Sequence, residues 1–150
     1  MKFLILTFAL ATVLSALTAC DSPMNHRVEG DGGSAAIQTY SFKAFSLNAK
    51  PQWIKPPVGE IKTNNELMVI VTDAAGERVS LPGGYTLNFY ATMPSMKHPL
   101  DDPGFFKEVD RGIYINSAIR YNMPGDWRNE LWIMDSNLEI VDRLSWDEFF

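Results

Sequence analysis

From residue 37 onward the apolar side chains recur at every second position, and this period of two decides what the chain can fold into. Tyr40, Phe42 and Ala44 alternate with Thr39, Ser41 and Lys43. Tyr85, Leu87, Phe89 and Ala91 alternate with Thr86, Asn88 and Tyr90, and Ile113, Ile115, Ser117 and Ile119 alternate with Tyr114, Asn116, Ala118 and Arg120. Such alternation places one set of side chains on each face of an extended strand and gives a helix no apolar stripe. Residues 67–71 (LMVIV) are a continuous apolar run, which predicts a central strand buried on both faces. Asp73 to Arg78 supply turn chemistry, and Asp135-Ser136-Asn137 predict a hairpin between residues 131–134 and 138–141. Pro51, Pro56, Pro57, Pro82, Pro94, Pro99, Pro103 and Pro124 are expected between the strands, where a missing N–H costs least. No amphipathic stretch exceeds two helical turns. The expectation is an all-β domain, an antiparallel β-sandwich of about seven strands.

Composition narrows the function. A single cysteine, Cys20, excludes an intramolecular disulfide, an iron–sulfur cluster and a cysteine-based zinc site. The sandwich is therefore expected to be immunoglobulin-like in architecture but without the Cys–Trp–Cys core of antibody domains. Two histidines, His26 and His98, exclude a histidine-rich catalytic metal site. A net charge of −5, with no basic run, argues against nucleic acid and against electrostatic docking on anionic lipid. No nucleotide-binding loop and no internal repeat is present. The parts of an enzyme are missing, so no catalytic residue is assigned.

The first twenty residues read as an export address. Lys2 precedes an apolar run over residues 3–17, which leads into Leu17-Thr18-Ala19-Cys20. That ending resembles the lipobox of bacterial lipoproteins. The resemblance implies removal of residues 1–19 and lipidation of Cys20, with the membrane as a partner through the anchor. Losing 19 of 150 residues leaves 131, one domain of ordinary size, and losing Lys2 takes the net charge from −5 to −6. Asp21 resembles an inner-membrane retention signal of enteric bacteria. Residues 20–36 are polar and glycine-rich, a flexible tether spanning roughly 20–24 Å as a coil. The folded domain is expected over residues 37–150.

Chemistry concentrates in two turns. Met93-Pro94-Ser95-Met96-Lys97-His98 follows one strand, and Met123-Pro124-Gly125-Asp126-Trp127 follows another. Thioether sulfur is a soft donor and imidazole a borderline one, so Met93, Met96, His98 and Met123 suit Cu(I) better than zinc, calcium or magnesium. The loops at one end of a sandwich cluster, which would bring both turns together. A plainer reading also stands, in which each Met-Pro is a core methionine followed by a turn-setting proline. Met24-Asn25-His26 offers a second Met/His set, although linker composition explains it as well. Asp101, Asp102, Glu108 and Asp110 form an acidic loop, read as a solvated face because no calcium-loop spacing is present. Trp127 and Trp132 are read as core packing. Trp146, Phe149 and Phe150 either dock on the sandwich edge or offer a contact surface.

The two turns, with Gly112-Ile113-Tyr114 between them, resemble the YtkA-like domain, close to the FixH-like family, over roughly residues 40–142. The resemblance implies an immunoglobulin-like sandwich outside the cytoplasmic membrane and a link to copper handling or respiratory oxidase assembly. It carries Met93, Met96, His98 and Met123 over as ligands, and Gly112, Tyr114, Gly125 and Trp127 as fold determinants. FixH-like proteins usually carry a membrane-spanning helix, a departure that weakens any oxidase role. The expectation is a lipid-anchored, periplasmic, copper-handling protein with a membrane or periplasmic protein partner. The competing expectation is a metal-free interaction module of the cell envelope. Replacing Met93 and Met96 together by Ala is expected to abolish copper binding and leave thermal stability nearly intact.

Overall fold

The computed structural model describes residues 38–150, so the expected leader, Cys20 and the tether lie outside the described residues. Nine strands follow one another: β1 (Tyr40–Phe42), β2 (Leu47–Lys55), β3 (Asn65–Thr72), β4 (Thr86–Met93), β5 (His98–Pro99), β6 (Lys107–Asp110), β7 (Ile113–Ile119), β8 (Asp126–Met134) and β9 (Ile140–Phe149). All pairs are antiparallel. They form a five-stranded sheet, β1-β2-β3-β7-β6, and a four-stranded sheet, β5-β4-β8-β9. With β1 set aside, this is the A-B-E-D and C′-C-F-G order of an immunoglobulin-type sandwich.

The expected fold class holds, but the count of about seven becomes nine. Strand β2 is not expected from the sequence because Pro51 interrupts it, and β5 and β6 have two and four residues, too few to show a period. Pro51 lies inside β2 and Pro99 inside β5, against the expectation that every proline falls between strands. Strand β1 pairs only with Leu47 to Ala49, so β2 is an edge strand from Lys50 onward. An edge tolerates a residue that cannot donate.

Inward rows from both sheets meet in one core: Phe42, Ala49, Leu67, Val69 and Val71 face Leu87, Phe89, Ala91, Leu131 and Ile133, all at most 5% exposed. Each Val, Leu, Ile or Phe among them contributes about 1.5–3 kcal/mol by leaving water. In β3 the alternate residues Met68 and Ile70 are only half-buried, so this strand is buried on one face, not two. The reading of Trp132 as core is also corrected. Trp127 is buried, whereas Trp132 lies half-buried in the alternate row and stacks on Tyr90 with ring centroids 4.6 Å apart.

Among the described residues three asparagines are fully buried and all are satisfied. Asn65 donates to the Ile119 carbonyl and accepts from the Val58 N–H, while Asn116 donates to the Pro103 carbonyl. Asn129 belongs to a chain that crosses between the sheets. The Tyr121 hydroxyl donates to Asn129 Oδ1 at 2.6 Å, and Asn129 Nδ2 donates to Glu148 Oε2 at 3.0 Å. The same oxygen accepts from Trp53 Nε1 at 2.8 Å and Trp146 Nε1 at 3.3 Å. Trp53 belongs to one sheet and Glu148 to the other, so this carboxylate ties the layers without a disulfide.

Burial, then the charge of Glu148, push the Tyr121 hydroxyl pKa well above its usual 10.0, against a smaller pull from Asn129. A phenol whose folded pKa is raised contributes stability that is whole below the unfolded value and lost as pH rises toward the folded one. Urea melts should therefore show stability falling above about pH 10. Tyr121→Phe should flatten that fall. At neutral pH it should cost about 1–3 kcal/mol, because Asn129 Oδ1 loses its donor.

Candidate functional site

Strand β4 ends at Met93, and Pro94 presets the turn that follows. The Met96 N–H donates to the Met93 carbonyl at 3.2 Å, Lys97 takes a left-handed φ of 53°, and His98 opens β5 directly opposite Met93. The turn after β7 meets this hairpin. Ser95 Oγ donates to Asp126 Oδ1 at 2.8 Å, and Asn122 Nδ2 donates to the Pro99 carbonyl at 3.2 Å. Trp127 Nε1 donates to the Met123 carbonyl at 3.1 Å, which anchors the second turn on a buried ring.

Gly125 makes the junction possible. Its φ is 148°, and a Cβ there would stand 2.6 Å from Met93 Cε. Its N–H donates to the Phe150 carbonyl at 2.9 Å and its carbonyl accepts from the Phe150 N–H at 3.3 Å, which clamps the turn to the last strand.

The structure thus brings the two Met-bearing turns to one end of the sandwich but places their side chains differently. Met93 is 3% exposed, in the inward row of β4, while Met96 is 60% exposed. His98 and Met123 are half-buried, and Met123 packs against the core. Asn122 Oδ1, one residue before Met123, is buried and accepts no hydrogen bond among the described residues. A cleft of about 400 Å³ lies alongside, lined by Pro94, Asp126, Trp127, Arg128 and Phe149 among others. Among the described residues no three His, Cys, Asp or Glu side chains group to hold a metal ion.

The acidic residues do not form one free loop beside His98. Asp101 and Asp102 pair with Arg120 at 3.1 and 2.7 Å, and Asp110 pairs with Arg78 at 2.8 Å. Glu108 accepts from the Gly112 N–H at 2.9 Å, and hydrogen bonds led by that of Ser80 hold its carboxyl below its usual range.

A second cleft was not read from the sequence. It opens between β1 and β2 of one sheet and β9 of the other, measures about 390 Å³, and is lined by Tyr40, Pro51, Trp53, Trp146, Glu148 and neighbours. The signal was there: Glu148 interrupts an alternate row of Leu144, Trp146 and Phe150 with a carboxylate.

No family model matches the chain, and no curated protein matches it. Solved structures do. FetP of uropathogenic Escherichia coli, as isolated, is 8% identical, with 75% of this chain and 92% of that chain covered and a TM-score of 0.50. A copper-bound variant of the same FetP is 9% identical, covering 75% and 93%, also at 0.50. A copper-bound variant of Campylobacter jejuni P19 is 7% identical, covering 75% and 94%, at 0.48. The likeness is one of fold.

The burial of Met93 overturns the expectation that replacing it leaves stability intact. Met93→Ala should cost about 2–5 kcal/mol in chemical denaturation, because it empties space in a packed core. Met96→Ala, at an exposed turn, should stay within about 0.5 kcal/mol of the parent.

Proposed function

We propose that this chain is a copper-handling protein of the bacterial cell envelope. In this reading Cys20 carries the lipid that holds it on the periplasmic side, and Met93, Met96, His98 and Met123 bind Cu(I) weakly. The observation that carries the reading is the hydrogen-bonded junction of the two Met-bearing turns, made by Ser95 with Asp126 and Asn122 with Pro99. Fold likeness to a copper-bound FetP variant supports it. The donor set fits in kind: thioethers need no deprotonation, and a soft ion prefers them to water. Met96 and His98 are the accessible donors and meet the ion first. Met93 contributes from beneath Gly125, where the missing Cβ leaves thin cover. The buried Asn122 Oδ1 adds an acceptor at the same end. The work is ligand exchange with a membrane or periplasmic protein partner, without catalysis.

The test is a Cu(I) competition titration of the full chain in maltoside micelles, against a chromogenic chelator under reducing conditions. One equivalent should bind, and Met96→Ala with His98→Ala should abolish it without changing the melting curve. Failure to compete even with weak chelators overturns the reading. The metal-free docking module then takes its place, favoured by Phe105 and Phe149, each 82% exposed.

A further inference from the structure

The cleft between β1, β2 and β9 contains none of the four methionine-turn donors, although it shares Asp147, Glu148 and Phe149 with the cleft beside those turns. Its walls include three aromatic side chains, Tyr40, Trp53 and Trp146, with the Tyr40 and Trp146 ring centroids 5.8 Å apart. Asp147 also lines it, but both of its oxygens accept from Arg128, so the acidic group left without a cation is Glu148. One carboxylate oxygen, Oε2, accepts from Trp53 Nε1, Trp146 Nε1 and Asn129 Nδ2, so the group is held rigidly by neutral donors. The other oxygen accepts no hydrogen bond among the described residues. No Lys or Arg lines the cleft, and Glu148 makes no ion pair among the described residues. A carboxylate without a cation, at the edge of a core and walled by aromatic rings, is a site waiting for a positive charge.

The kind of cation follows from what the cleft lacks. A hard metal ion wants six or more oxygen ligands, and one carboxylate with a single free oxygen cannot supply them. A primary ammonium carries three N–H donors and needs as many acceptors. A methylated ammonium needs none: its charge rests on aromatic faces and one nearby anion, and its methyl groups bury against the rings. The volume, about 390 Å³, falls in the range of about 300–1,000 Å³ usual for small-ligand sites. We propose that this cleft binds a quaternary ammonium group, with Tyr40, Trp53 and Trp146 as walls and Glu148 as counter-charge. The charge of Glu148 already acts within the cleft, since it joins burial in raising the Tyr40 hydroxyl pKa above its usual value.

The test follows tryptophan fluorescence of the full chain in maltoside micelles as choline is added. Its neutral isostere 3,3-dimethylbutan-1-ol serves as the control, and phosphatidylcholine vesicles distinguish a lipid headgroup from a free solute. A saturable change is expected with choline or with the vesicles, at least tenfold weaker with the isostere. Tyr40→Leu should weaken it about tenfold with the fold intact by circular dichroism. Glu148→Gln, which keeps an acceptor for the indoles, should abolish the preference for choline over the isostere. Equal response to choline and isostere, or no saturable response to choline and vesicles alike, overturns the proposal. So does a choline response that Tyr40→Leu and Glu148→Gln leave unchanged. Cu(I) uptake at the methionine turns bears on neither outcome, because none of Met93, Met96, His98 and Met123 lines this cleft.

Discussion

The hydrogen bond from Trp53 to Glu148 ties the two layers at the edge of the core that their inward rows share. An immunoglobulin-type sandwich without cysteines in its core has no covalent tie between its sheets. Here a carboxylate on β9 takes that place by accepting an indole N–H from β2 across the interface. Asn129 and Tyr121 extend the tie into the centre of the domain, where Tyr121 meets Trp127, Phe150 and Phe89 edge-on. A carboxylate this close to a core is costly unless every contact is made. Three donors on one oxygen answer that cost and leave the other oxygen open, so the group that joins the sheets also gives the cleft its charge.

The methionine-bearing end of the domain is a junction of turns. Hydrogen bonds from side chains in one turn to atoms of the other fix the 93–98 hairpin against the 123–126 turn, and Gly125 lets Met93 fit beneath. Loops carry function when a rigid frame positions them. Here the frame is the inward row of β4 and β8, and the donors at the turn divide between it and solvent. Met93 serves the core first, which couples any role it has in ion binding to the stability of the domain.

Sequence alternation made the sheets and the paired turns legible, because period two and turn chemistry are local properties. It failed where a residue's role depends on a neighbour far along the chain. Ile113 and Ile115 read as a buried row, yet Tyr114 and Asn116 face inward, since Asn116 finds the Pro103 carbonyl and the Tyr114 hydroxyl accepts the Leu81 N–H. Pro51 hid β2, because nothing local says that β1 is three residues long and leaves an edge. For the methionines, spacing predicted the meeting of the turns but not the orientation of the side chains. Met93 and Met96 are three residues apart on either side of a tight turn, and one is buried where the other is exposed. Glu148 escaped notice because its partners, Trp53 and Asn129, lie 95 and 19 residues away.

The clamp between Gly125 and Phe150 bears on the timing of assembly. A ribosome or an export channel delivers a chain from its N-terminus, so the 93–98 hairpin emerges long before residue 150. The second turn receives both backbone hydrogen bonds of its clamp only after β9 has been delivered and laid beside β8. A half-delivered chain holds its first turn on an unfinished surface, without the second turn fixed against it. The junction of the two turns is therefore the last part of the domain to close, and it closes only in a completed chain.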